Sequence, residues 1–120
     1  MRMTISTGIV ADRPTKNGTV YSREALERVI ATFKGPKPGG ILNRKAIECR
    51  DRITHNVLAL TMSSDGQLQA EVEIVDSDLM EWIRRGRAFN AKPIVVTDLN
   101  NPLKIREIRR IDLEETSSSL

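Results

Sequence analysis

ITHNVLALTMSSDGQLQAEVEI, residues 53–74, decides the fold. In its second half Leu68, Ala70, Val72 and Ile74 are apolar, and Gln67, Gln69, Glu71 and Glu73 between them are polar. A period of two places the first set on one face of a strand and the second set in water. Asp65-Gly66 just ahead is a tight-turn signal, so the segment before it is the other arm of a hairpin. That segment, Ile53 to Met62, is apolar on both faces. Ile53, Val57 and Ala59 share one side with His55, while Leu58, Leu60 and Met62 occupy the other, the pattern of a strand covered on both sides.

Upstream, Met3 to Ala11 alternates and is rich in β-branched residues, which predicts a strand ending at the turn signals Asp12-Arg13-Pro14 and Lys16-Asn17-Gly18. Ser22 is placed to cap a helix carrying Leu26, Val29, Ile30 and Phe33 on one face, with Glu24 at the positive end of its dipole and Gly35-Pro36 to end it. GPKPGG, residues 35–40, is the clearest break, and Ile41 to Arg52 is charged without a period. The reading is a long loop or arm around 35–52. Downstream of the hairpin, Asp76 or Ser77 should cap a short helix with Leu79, Met80 and Ile83 inward, Trp82 at its edge and Gly86 at its end. Two further strands are expected, Ala88 to Thr97, interrupted at Pro93, and Leu103 to Leu113, before a flexible tail over 115–120. The fold class is α+β: a small, mostly antiparallel β-barrel with two short flanking helices. A length of 120 residues makes it a single domain over 1–120.

Composition narrows the function. Apolar residues are 39% and charged residues 29%, and no apolar run approaches the ~20 residues that span a bilayer, so a soluble domain with no membrane partner is expected. Phe33, Phe89, Tyr21 and Trp82 are all the aromatics, which argues against a base-stacking surface for single-stranded nucleic acid. One cysteine, Cys49, excludes an intrachain disulfide, and one histidine excludes a multi-histidine metal site; no cofactor and no metal are expected. Glu71, Glu73, Asp76 and Asp78 read as solvated charge, without the spacing of an oxygen-ligand loop. The opening MRMTISTGIVADRP lacks a stretch apolar enough for a secretory signal, and a single thiol suits a reducing cytoplasm.

With one histidine, any serine or cysteine hydrolase chemistry passes through His55. The residue admits two roles: a general base, or a buried imidazole hydrogen-bonded to backbone or to a neighbour such as Thr54 or Asn56. Cys49 lies six residues upstream in a charged stretch, Ser63 and Ser64 precede a turn they suit structurally, and Ser117, Ser118 and Ser119 lie in the tail. The 19 Lys and Arg exceed the 16 Asp and Glu by +3. Arg84, Arg85, Arg87, Lys92, Lys104, Arg106, Arg109 and Arg110 make the C-terminal half basic, suiting solvent, nucleic acid or an acidic protein surface.

The order of these features resembles the tailed-phage prohead proteases. GIVADRPTKNGTVYSREALERVI looks like the family's opening strand, Asn-Gly turn and helix of the YSREAL type. RITHNVLALTMSSDGQLQAEVEIVDSDLMEWIRRG resembles its central Ile-Thr-His strand, DG hairpin, alternating strand and Gly-terminated helix. IREIRRIDLEETSSS looks like its closing strand, and the likeness runs from about Gly8 to Ser118. The resemblance implies the β-barrel shared with herpesvirus maturation proteases and matches His55 to the catalytic histidine. It also implies a serine on the strand after the helix-ending glycine. There the chain reads RAFNAKPIVV, with Lys92-Pro93 in the serine's neighbourhood and no Ser, Thr or Cys before Thr97.

The resemblance therefore implies a fold relative without proteolysis, His55 being the remnant of a base with nothing to activate. The expected role is a non-catalytic decoration or cement protein of the virion, present in the host cytoplasm during assembly, with the major capsid protein as partner and self-association on the capsid surface. Lys37, Arg44, Lys45, Arg50 and Arg52 of the arm are the expected capsid contacts. Three alternatives stay open: an active maturation protease using His55 with Cys49, Thr97 or a C-terminal serine; a transient scaffold-binding assembly factor; and a small nucleic-acid-binding domain, where specific nucleic-acid binding is not expected.

Overall fold

The computed structural model of the chain describes residues 1–42 and 53–115. In chain order the elements are β1 (Arg2–Val10), α1 (Arg23–Thr32), β2 (Lys37–Gly39), β3 (Ile41–Leu42), β4 (His55–Met62), β5 (Gln67–Ile74), α2 (Ser77–Arg84), β6 (Phe89–Asp98) and β7 (Asn101–Glu115). The class is α+β with mostly antiparallel strands and two helices; only the pairing of β3 with β7 is parallel among the described residues.

β5 carries the core as its alternation predicts: Leu68, Ala70, Val72 and Ile74 are buried, while Gln67, Gln69, Glu71 and Glu73 between them stay partly exposed. At the turn ahead of it, Gly66 takes φ +85°, which an L side chain resists, and the Ser63 hydroxyl accepts the Gln67 N–H at 3.0 Å while donating to the Asp65 carboxylate. The helix signals are also met. Ser22 Oγ accepts the Ala25 N–H at 3.1 Å, and the Asp76 carboxylate accepts the Leu79 N–H at 2.9 Å. Leu26 and Val29 of α1 and Leu79 of α2 are buried.

β4 departs from its expected two faces. Val57 pairs with Val72 and Ala59 with Glu71, so Leu58 is an extra residue, a bulge that reverses the alternation. Leu60 thereby joins His55 and Val57 in the buried set, and Leu58, Ala59 and Met62 are only partly covered. An apolar run can be covered on both sides, or it can switch faces once; burial chose the second.

No closed barrel forms, contrary to expectation. The ladders are β1-β5-β4-β2 and β3-β7-β6, two sheets rather than one continuous cylinder. β1 and β6 come against each other at the two outer edges but share no ladder. Both of these strands are irregular: β1 loses register against β5 between Ser6 and Val10, and Pro93 of β6 has no N–H. Pro93 does not end its strand, because β6 is an edge strand and continues from Phe89 to Asp98, but its register against β7 shifts just past the proline, between Ile94 and Val95, and again on either side of Thr97.

The expected arm is corrected over residues 37–42. Lys37–Gly39 extends the first sheet beside β4, and Ile41–Leu42 joins the second beside β7, so the chain passes from one sheet to the other at Gly40. Gly39, Gly40 and Ile41 are buried. Two glycines present no side chain to either sheet, which lets the backbone run between them. The remainder of the arm, residues 43–52, and the tail from 116 onward lie outside the described residues.

Candidate functional site

The sheet-to-sheet passage is also where His55 lies. β4 opens on it, and Gly39 is its register partner on β2. The ring is 0% exposed. Its Nε2 is 2.7 Å from the carbonyl oxygen of Ile111 on β7, and its Nδ1 is 2.9 Å from Thr54 Oγ1. A carbonyl can only accept, so Nε2 carries the proton and donates; Nδ1 is then bare and accepts the Thr54 hydroxyl. Both ring nitrogens are committed, one to each neighbour. His55 thus bolts the first sheet to the second through the imidazole.

A buried acid completes the junction. Asp112, 4% exposed, accepts the Gly40 N–H at 2.9 Å and the Arg110 Nε–H at 2.6 Å on the same oxygen, Oδ1. The Gly40 carbonyl in turn accepts the Leu113 N–H at 3.0 Å, so both polar groups of this one residue are satisfied by β7 and its side chains. Burial lowers the pKa of His55 from 6.5; the Ile111 carbonyl and the charge of Asp112 oppose that shift in part, and Arg110 adds to it. A neutral imidazole suits the observed pair of bonds, since protonating Nδ1 would set two donors face to face unless the Thr54 hydroxyl turned away.

The buried neutral ring makes stability depend on pH. Because the folded value lies below the unfolded 6.5, the unfolded chain binds more protons in the window between them. Stability is therefore full above about pH 6.5 and falls as pH drops through that window, before ordinary carboxylates titrate. Urea midpoints measured at about pH 7.5 and about pH 5 should differ, with the difference shrinking in His55→Gln. Equal midpoints in the native protein would contradict a histidine buried neutral.

Lys92 and Pro93, where the resemblance implies a serine, lie close to this junction. Pro93 is the register partner of Ile111, whose carbonyl His55 holds, and Lys92 is the partner of Asp112. Thr97 pairs with Ile105, six residues along β7 from Ile111, on the order of 15–20 Å at strand rise. Ser63 is tied into the hairpin turn by Asp65 and Gln67. Cys49, Ser117, Ser118 and Ser119 lie outside the described residues.

Of the expected capsid contacts, Lys37 is turned onto the protein itself. Its Nζ donates to the Ile108 carbonyl at 3.2 Å, stands 5.3 Å from the centre of the Phe33 ring and is 4.0 Å from Glu107. Arg44, Lys45, Arg50 and Arg52 lie outside the described residues. In the basic C-terminal half, Arg85 is paired with Glu81, Arg87 with Glu115, and Arg110 with Asp112. Arg87 also covers the face of Trp82, 4.5 Å from the ring centre, and Trp82 stacks on Phe89. With Arg109 4.0 Å from Glu107, four of the eight C-terminal basic residues thus have an acidic neighbour within the fold.

A concavity of about 390 Å³ lies between the irregular part of β1, the 15–21 loop and β6. Lys16 and Lys92 stand on it, with Tyr21 and Asn90 among its polar groups and Ile9 and Val95 among its apolar ones. No group of three or more His, Cys, Asp or Glu side chains able to hold a metal ion occurs among the described residues. No described helix is long and apolar enough to cross a membrane.

Sequence reasoning missed Gly39, Arg110 and Asp112 as partners of the histidine. The available signals were a Gly-Gly pair placed where no turn follows and an aspartate flanked by Ile111 and Leu113 in an apolar run. Compared with known proteins, the chain matches no family model, no curated protein and no solved structure.

Proposed function

We propose that this chain is a binding module and not a hydrolase: a capsid-associated component of a tailed-phage virion, built on a prohead-protease-like frame whose histidine has become a structural bolt. The observation that carries the non-catalytic half is the saturation of His55. A general base must offer a bare nitrogen to a nucleophile, and here the bare nitrogen is taken by Thr54 while the protonated one is fixed on a backbone carbonyl. Thr54 itself, 2% exposed, is sealed from any substrate. The virion half rests on the motif order from Gly8 to Ser118 and names the major capsid protein as partner, with self-association on the shell and assembly in the host cytoplasm.

Quantitative mass spectrometry of gradient-purified mature particles from the source phage tests this. Many full-length copies relative to the major capsid protein are expected. Absence from the particle, or only cleaved fragments, would replace this reading with a maturation protease or a scaffold-binding factor that leaves before maturation.

A further inference from the structure

We infer that the cleft between β1 and β6 is a docking groove for a short extended peptide segment bearing a carboxylate side chain. Sheet order is the first reason. Followed through Gly40, the strands run β1-β5-β4-β2 and then β3-β7-β6, which leaves β1 and β6 as the two ends of an almost complete circuit. The cleft opens at that seam, unpaired among the described residues, with Ser6 to Ile9 on one wall and Asn90 to Pro93 with Val95 on the other. Edge strands offer unpaired backbone groups, and an extended peptide is the ligand that uses them.

The β1 wall of the cleft is irregular. Where β1 loses register against β5, Gly8 at φ +81° donates its N–H to Ser6 Oγ at 3.3 Å, and Thr7 Oγ1, which donates to the Leu68 carbonyl of β5 at 2.8 Å, accepts the Ile9 N–H at 3.2 Å. Nothing lies within 4 Å of the point where a Cβ on Gly8 would project, so the backbone there is open to an incoming chain. Pro93 on the facing rim cannot donate.

Charge selects the occupant. Lys16 and the half-buried Lys92 both line the cleft, no Asp or Glu does, and neither lysine makes a hydrogen bond or ion pair with the described residues. A lysine in a cleft with no acid among the described residues lining it is complemented by a carboxylate from outside. Ile9, Ala91, Pro93 and Val95 supply the apolar wall for flanking aliphatic side chains. This inference is independent of where the protein acts, so its failure leaves the virion assignment standing, and the reverse holds.

The test is a titration of the full ¹⁵N-labelled chain, followed by NMR. The probe is an end-blocked peptide of about eight residues, alternating valine and threonine with one central glutamate. Its glutamine counterpart and sodium acetate are run beside it. The amides of Ser6 to Ile9 and of Asn90 to Val95, proline excepted, should shift with the glutamate peptide. Binding should weaken about fivefold with the glutamine peptide or with Lys92→Glu, and Lys92→Glu should instead prefer a lysine-centred peptide. Lys16→Glu, on the exposed loop, repeats the comparison if Lys92→Glu does not fold. No shift at either wall, equal binding of both peptides, or full reproduction of the shifts by acetate alone would overturn peptide docking, the last in favour of a small-anion site.

Discussion

Gly39→Ala is expected to unfold the protein or to lower its stability by about 3–5 kcal/mol, more than any conservative change at the surface. A Cβ on Gly39 would lie 2.4 Å from His55 Nε2 and 2.4 Å from the Ile111 carbonyl oxygen. Neither obstacle is free to yield. The ring is fully buried and held at both nitrogens, and the carbonyl belongs to the backbone of β7. Relief requires β2 to move off β4 and β7, which strains the Thr54 N–H to Gly39 carbonyl bond at 3.0 Å and the Gly40 N–H to Asp112 bond at 2.9 Å. Urea denaturation followed by far-UV circular dichroism reads the result directly. Gly18→Ala is the control: at φ +82° with nothing within 4 Å it should lose only about 1–2 kcal/mol, from conformational strain alone. A Gly39→Ala protein as stable as the native one would refute a close-packed passage between the sheets.

His55→Ala should cost about 3–5 kcal/mol. It removes a fully buried ring, strips the Ile111 carbonyl of its donor and leaves Thr54 Oγ1 with only the Gly39 carbonyl, 3.5 Å away. His55→Gln keeps an N–H donor of similar reach for that carbonyl and should cost roughly half as much. The pair also separates a bolt from a base. In the proposed role, folded His55→Gln protein reaches particles at the native copy number, because nothing it binds with has changed. Particles that instead accumulate uncleaved scaffold or capsid protein with this variant would restore the protease reading, since glutamine cannot take a proton as imidazole does.

His55 shows how far a sequence carries a site. Its place among apolar neighbours is visible in the chain, and Thr54 is one of two neighbours expected to bond it. The partner that fixes its chemistry, the Ile111 carbonyl, lies 56 residues away in sequence and contributes backbone, which no side-chain pattern can announce. Lys37 shows the reverse case. As a cation in a Gly- and Pro-rich stretch it reads as free, yet the passage of 37–42 between two sheets lays it against Phe33 and the Ile108 carbonyl. Leu58 is a third case: a bulge costs little local energy and is set by which arrangement buries more apolar surface, so the two-faced run leaves its position open.

By itself the sequence determined what depends on neighbours in the chain. The alternation of β5, the Asp65-Gly66 turn, the caps at Ser22 and Asp76 and the apolar stripe of each helix are short-range facts, governed by backbone conformation and by side chains a few residues apart. Tertiary structure alone decided that the strands form two sheets instead of a closed barrel, that Gly39-Gly40 threads between them, and that His55 and Asp112 both serve that passage. Those outcomes turn on contacts between segments tens of residues apart, where the competition between burying surface and satisfying every backbone polar group is settled only after the whole chain has packed.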